Sequence, residues 1–479
     1  MPPSTSLNSV QFLQQLCNLV GADQVVSNTA AMSDWMTEPR GLFTGEALAV
    51  VRPADTAEVI AIVKASATAG VSIVPQGGNT GLCGGATPIP KNRSIVLSLS
   101  RLNQIRSVNP ATNSLTAEAG CIVANIQQAA ADAERLFPLS FAADGTAQVG
   151  GAIGTNAGGT NVLRYGNTRE LVRGLEVVLP NGDLLDDLRG LRKDNTGYNL
   201  THLFIGAEGT LGVVTAANLK LFAAPSQRHT AWLAINRIAD GIDLLIDLQQ
   251  LSGGAVSGCE LISATSLEFA LRHQLGCRAP LETDTSWYLL LELTGTGHNQ
   301  ALASLLENRL ASGLENGTVV DAVIAQNLQQ GETFWHIREG ISEAQKHEGG
   351  SIKHDIALPI HRLAEFVDTT VPLLHQQMPG IRPCIFGHLG DGNLHFNLTQ
   401  PAGMDKAEFL GRWSTFNRIV HDQVEKFGGS ISAEHGIGQL KRGELARYKS
   451  PIALNLMRQI KQAIDPQNLM NPGKVLPDE

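Results

Sequence analysis

The chain has 479 residues, 43% apolar and 17% charged, with a net charge of −9 and no dense Lys/Arg block. That length asks for about three ordinary domains or two large ones. The acidic balance and the lack of a basic block argue against nucleic acid or an anionic membrane surface as the main partner, so an acidic ligand must be met by a few placed cations.

Met1 to Val20 carries neither Lys nor Arg and no long apolar run, unlike a secretory or transit leader. No segment reaches the ~20 apolar residues of a membrane span. Helical apolar spacing marks Thr56–Ala69 and 123–133, and short Val/Ile/Leu-rich runs at 94–99, 172–179 and 212–216 predict strands. The mixture predicts an α+β first domain over 1–224. From Pro225 the glycine clusters stop, and 286–293 reads as a strand among amphipathic helices, predicting an α+β substrate or cap domain over 225–425. The C-terminal segment, 426–479, carries Ile452, Leu456, Ile460 and Ile464 at four-residue spacing, an amphipathic helix that stops at Asp465-Pro466. The six cysteines are scattered without a C-x-x-C, which predicts reduced thiols and a cytoplasmic location.

Three glycine clusters interrupt the first domain. Pro75-Gln76-Gly77-Gly78-Asn79-Thr80-Gly81-Leu82 follows a strand-like run, and successive unobstructed backbone N–H groups can form an anion-binding concavity. Neither a G-x-G-x-x-G helix start nor a Walker ending is present, so this cluster alone reads equally well as a tight turn. The second cluster is Ala143-Asp144-Gly145-Thr146, continued by Gly150-Gly151, Thr155-Asn156 and Gly158-Gly159. The third holds Glu208-Gly209 and Gly212-Val213. Both pair glycine with small polar residues, the composition of a backbone wall around a large planar, phosphorylated ligand.

In the second domain, 334–344 is helical in composition, placing Arg338 and Ser342 one turn apart, and Lys353 follows in a strand-like run, 351–356. Alone, these residues read as a solvated, salt-bridged face. The run Gly387-His388-Leu389-Gly390-Asp391-Gly392-Asn393-Leu394-His395-Phe396-Asn397 has a turn composition at 390–393 between strand-like 385–389 and 394–398. Closing it with a four-residue loop puts Leu389 opposite Leu394 and His388 opposite His395. Opposed Cβ atoms stand about 4.5–5.5 Å apart, close enough to share one ion. Alternation then sorts Ile385, Leu389, Leu394, Phe396 and Leu398 onto one face and His388, His395 and Asn397 onto the other. Ser432-Ala433-Glu434-His435-Gly436 offers a third ligand in Glu434. Two His and one carboxylate suit Zn²⁺, with Mn²⁺ or Fe²⁺ as alternatives. Neighbouring side chains diverge, so Glu434 can bind a metal while His435 points at a substrate.

The glycine clusters in this order, with Asn195-Thr196-Gly197-Tyr198 before the third and Asn471-Pro472-Gly473-Lys474 at the end, resemble the vanillyl-alcohol oxidase type of FAD-binding domain. The resemblance covers essentially the whole chain. It implies that the first cluster holds the FAD pyrophosphate, the second runs along ribityl and flavin, and the third flanks the adenine end and pyrophosphate, with Asn471 adding to the site. Residues 76–81 contain no His, so FAD is expected to be non-covalent.

The paired histidines and the Glu434-His435 motif resemble the D-2-hydroxyglutarate and D-lactate dehydrogenase branch of these flavoproteins. That branch implies Zn²⁺ on His388, His395 and Glu434, His435 as base, hydride transfer from C2 to flavin N5, and Asn397 orienting the substrate. Arg338, Ser342 and Lys353 stand where the branch binds a distal carboxylate, which implies D-2-hydroxyglutarate. Ser342 stands where Thr is expected. A D-lactate or glycolate type dehydrogenase is the alternative. A transferase like the alkyl ether-lipid synthases is disfavoured, because their histidine-rich run is missing. There is no nicotinamide fingerprint and no iron–sulfur cysteine set. The expected partners are therefore a (R)-2-hydroxy acid and an electron acceptor, either electron-transfer flavoprotein or a quinone. A homodimer is a further expectation; nucleic acid is not expected.

Overall fold

Asp55 starts the helix Thr56–Ala69 by accepting from the Glu58 N–H, and Gly70 ends it in the left-handed conformation at φ 61°. This is the helix expected from its apolar spacing. In the computed structural model, which describes residues 8–297 and 301–478, it buries Val59, Ile62 and Val63 on a four-stranded sheet. Residues 1–7, part of the stretch read for a leader, lie outside the described residues. Two parallel strands of the sheet, Ser72–Gln76 and Ser94–Ser98, are largely or wholly buried, as parallel strands covered on both faces are. An antiparallel five-stranded sheet follows, with Val213–Lys220 between Ser114–Glu118 and Val172–Val178. These elements belong to a first unit of 1–159, 166–224 and 434–479.

The second unit comprises 160–165 and 225–433 and is built on one eight-stranded sheet. Val256–Ser263 pairs with Trp287–Gly295 on one side and Arg382–His388 on the other. Asn393–Thr399 pairs with Arg382–His388, and across its other edge with Ser351–Ile352 and Asp355–Ala357. One face of the hairpin is apolar: Ile385, Leu394, Phe396 and Leu398 are buried, and Phe396 meets Phe366 of the helix Ile360–Gln377 edge-on at 5.3 Å. Against the other face lie Phe334 and Ile337 of the helix Leu328–Glu339. The fold is thus α+β, with helices and sheets in both units.

Two expected elements are interrupted. The helix read at 334–344 breaks at Gly340 into Leu328–Glu339 and Ile341–Ala344. The amide nitrogen of Gln274 reaches the Ile337 carbonyl, the acceptor that a continuous helix would give to Ile341, and Gln274 fills the space a Cβ at Gly340 would need. The run 351–356 splits around Lys353 and His354, whose ring bonds the Phe396 carbonyl and Asn417 Oδ1, both at 3.0 Å. At the C-terminus the amphipathic helix forms over Pro451–Ile464, but Leu454 is its buried apolar residue, whereas Ile452 and Leu456 are exposed. Among the described residues no helix is long and apolar enough to cross a membrane.

Candidate functional site

The hairpin forms, and its register corrects the expected one by two residues. The loop is 389–392, so His388 stands opposite Asn393, and His395 opposite Phe386. The turn itself explains the shift. Asp391 Oδ1 accepts from Asn393 N at 3.0 Å, Gly392 N donates to the His388 carbonyl, and Leu389 N continues the ladder to the Cys259 carbonyl. Gly387 is obligatory here, because a Cβ would meet the Asn393 carbonyl oxygen at 2.4 Å. A shift of two preserves the alternation of faces, so His388, His395 and Asn397 do share one. The two imidazoles are diagonal neighbours, ring centroids 5.8 Å apart and edge-on, with nitrogens within 4.8 Å of each other.

Each histidine faces a carboxylate on the next strand outward. Glu260 is directly opposite His388, and Asp355 directly opposite His395. Glu260 Oε1 bonds His388 Nδ1 at 2.8 Å; Asp355 Oδ1 lies 3.9 Å from His395 Nδ1 and accepts from Asn393 Nδ2 at 3.0 Å. Burial alone would push the Glu260 carboxyl up, but His388 and Arg338 outweigh it and hold the group below the usual range. An ionised carboxylate only accepts, so His388 carries a proton on Nδ1 and donates it to Glu260. A carboxylate bonded behind an imidazole, as Glu260 is behind His388, is the arrangement that orients metal-binding histidines, and with His395 on the same face these residues fit a divalent metal. Neither Glu260 nor Asp355 was anticipated. A lone Glu in the apolar run Cys259-Glu260-Leu261-Ile262 is the signal that could have found the first.

The expected substrate residues occupy the same unit. Arg338 is buried, its guanidinium 4.8 Å above the Phe386 ring, with Nε and Nη2 on Glu260 Oε2 at 2.9 and 2.7 Å. Asn397 is buried and donates to Gln345 Oε1 at 3.0 Å, while Gln345 donates to Thr399 Oγ1 at 2.8 Å. Ser342 and Lys353 are half-buried. The turn Gln345–Glu348 that carries Gln345 is anchored by Glu348, which meets Arg272, His273 and Arg382. Burial raises the Glu348 carboxyl, but those donors prevail and bring it down to about 2. A depressed carboxylate stabilises fully above the unfolded value of about 4.3 and loses that contribution as pH falls toward about 2. Glu348→Gln should therefore lower Tm by several degrees near pH 7, with the gap narrowing near pH 3. A calorimetric gap of equal size at both pH values would remove the ion cluster as its cause.

In the first unit the glycine clusters and the C-terminal turn converge. Asn471, left-handed at φ 42°, donates from Nδ2 to the carbonyls of Gly85 and Glu208 at 2.9 and 2.7 Å, and from its backbone to Ile73. Gly209 lies on Pro75, and Gly78 lies so close to the Thr146 carbonyl that a Cβ would approach it to 2.3 Å. Gln76 and Asn79 brace the first loop through Trp35, Ala86, Asp34 and Thr37 carbonyls, and Arg40 bonds the Leu82 carbonyl. Gly81, Gly145 and Gly151 face open space, and Gln148 Oε1 is buried without a partner among the described residues. That walled opening fits a large ligand lying along backbone.

Glu208 spends its carboxylate on the N–H groups of Ile437 and Gly438, at 2.7 and 2.9 Å, clamping the loop that carries Glu434 and His435. A Cβ at Gly158 would meet Glu434 Oε1 at 2.5 Å, so Glu434 rests on the second glycine cluster. Immediately before it, Ala433 ends the second unit, its N–H on the Asp355 carbonyl at 3.3 Å.

The chain matches the family model described as FAD binding domain over residues 47–187, and that described as FAD linked oxidases, C-terminal domain, over 224–475. It is 37% identical over 448 residues to the mitochondrial D-2-hydroxyglutarate dehydrogenase of Arabidopsis thaliana, covering 93% of this chain and 77% of that relative. It is 36% identical over 471 residues to the D-2-hydroxyglutarate dehydrogenase of Stutzerimonas stutzeri, covering 97% and 98%. Among solved structures, p-cresol methylhydroxylase with substrate bound is similar at a TM-score of 0.74 and 17% identity, covering 100% of this chain and 99% of that one. That likeness bears on fold alone: the chain shares the fold of that protein. An alkyldihydroxyacetonephosphate synthase shares it at a TM-score of 0.72, also at 17% identity, covering 97% of this chain and 86% of that one.

Proposed function

We propose, from the premise that this chain belongs to the FAD-linked oxidases and within them to the D-2-hydroxyglutarate dehydrogenase family, that it oxidises (R)-2-hydroxy acids with D-2-hydroxyglutarate as substrate. It is an FAD-dependent dehydrogenase. The single observation that carries the rest is the His388–His395 pair on one face, with Glu260 bonded behind His388. We read the first unit as the FAD domain, with its three glycine clusters and Asn471 around non-covalent FAD, and the second as the substrate domain.

When bound, FAD supplies two-electron acceptance and a divalent metal, Zn²⁺ by preference, supplies Lewis-acid polarisation of the hydroxyl. His388 and His395 would hold that metal through Nε2, with Glu434 as third ligand. The chain path supports Glu434, since it directly follows Ala433, which is bonded to Asp355 opposite His395. His435, next in sequence, takes the proton from the 2-hydroxyl. Asn397, held by Gln345, orients the head of the substrate. Arg338, Ser342 and Lys353 receive the distal carboxylate. A D-lactate or glycolate type activity is the second reading, favoured to the extent that Arg338 is already engaged by Glu260. Electrons then leave for electron-transfer flavoprotein or a quinone. We retain a cytoplasmic location and a homodimer as parts of this reading.

A hydroxy-acid panel with a dye acceptor, run on wild type and Lys353→Ala, tests the substrate. Wild type should prefer D-2-hydroxyglutarate to D-lactate, and Lys353→Ala should lower kcat/KM for the dicarboxylate about 10–100-fold while sparing lactate. An equal loss on both would end the distal-carboxylate role.

A further inference from the structure

Glu260 sits at the junction of two jobs that the reaction needs done separately. It is fully buried, at 0% exposure, in a strand whose neighbours Cys259, Leu261 and Ile262 are apolar core. Its two oxygens go to different clients: Oε1 to His388 Nδ1 at 2.8 Å, Oε2 to Arg338 Nε and Nη2 at 2.9 and 2.7 Å. The strand register explains the first contact, since Glu260 is opposite His388. The second reaches across 78 residues to the end of the helix Leu328–Glu339, where Phe386 supports the guanidinium face. A buried ion pair is weak ground for stability, because desolvation offsets most of the attraction. What such a pair does supply is geometry: a planar fork held on one edge and one face, and an imidazole held in a single tautomer.

We propose that Glu260 is the positioning residue that couples the metal end of the substrate site to its carboxylate end. One carboxylate sets the direction of His388 Nε2 and the plane of Arg338, so the separation between metal and guanidinium, and with it the length of hydroxy acid accepted, is fixed by Glu260. This also assigns the Nε–Nη2 edge of Arg338 to the protein, so a substrate carboxylate is met by the rest of the guanidinium together with Lys353 rather than by that fork. The inference rests on the metal and substrate reading given above.

The test uses FAD-loaded protein carrying Glu260→Gln. An amide oxygen can accept from one client, but its NH₂ faces a donor and loses the other. Zn²⁺ affinity of the metal-stripped holoprotein, measured against a competing chelator, should weaken about 10–100-fold. KM for D-2-hydroxyglutarate should rise about tenfold more than KM for D-lactate, with the flavin spectrum unchanged. Glu260→Asp, which keeps the charge but is one methylene short of spanning both clients, should move both readouts the same way by less, and serves if the amide variant does not fold. A variant with wild-type Zn²⁺ affinity and an unchanged KM ratio, altered only in Tm, would overturn the coupling. Wild type that takes up no Zn²⁺ would instead sink the metal reading, and the KM ratio would still decide the Arg338 arm.

Discussion

His388→Ala is expected to lower kcat/KM by about a thousandfold or more and to abolish stoichiometric Zn²⁺, while FAD stays bound. Loss of a Lewis acid on the reacting hydroxyl withdraws several kcal/mol of transition-state stabilisation, and about 4 kcal/mol corresponds to a thousandfold. His388 and its Glu260 partner lie in the second unit, whereas the glycine clusters read as the FAD cradle lie in the first, so the two losses are separable. Metal analysis, flavin absorbance and a dye-linked assay read the three quantities. Chelator-stripped wild type should behave like the variant and recover with added Zn²⁺. Full activity in metal-free wild type would remove the metal from the mechanism.

The second large effect is expected from His435→Gln. A positioned base contributes about 10²–10⁴-fold, so kcat should fall within that range with KM, Zn²⁺ content and FAD content close to wild type. The direction with pH follows from the role. A base must be neutral to take a proton, so wild-type kcat/KM rises with pH on its acidic limb as the base deprotonates. In the variant that limb should vanish. A variant that keeps both the rate and the limb would place the base elsewhere.

How much of this was legible in the residues differs by element. The helix Thr56–Ala69 was, because its cap, its apolar spacing and its terminal glycine all lie in one unbroken stretch from Asp55 to Gly70. The faces of the hairpin of Arg382–His388 and Asn393–Thr399 were legible too, although its register was not. Side chains alternate with period two, so a two-residue slip leaves His388, His395 and Asn397 on one face. The slip itself came from the Asp391–Asn393 turn, whose bond from side chain to backbone is not announced by composition alone. The break at Gly340 was hidden for a similar reason: it is made by Gln274, more than sixty positions away.

The sequence by itself determined the chemistry on offer. Glycine clusters with small polar residues, two histidines on one face of a hairpin, and a Glu-His pair in a glycine loop are local patterns, set by backbone sterics and alternation. Only the tertiary structure decided what each of those groups is bonded to. Glu260 reaches His388 across 128 residues and Arg338 across 78, and Glu208 reaches Ile437 across 229. Such contacts form because a buried carboxylate must find donors wherever the packed sheet brings them, and sheet order is a property of the whole chain. The hairpin thus supplies the proposed ligands from neighbouring residues, while their aim comes from strands and helices far away in sequence.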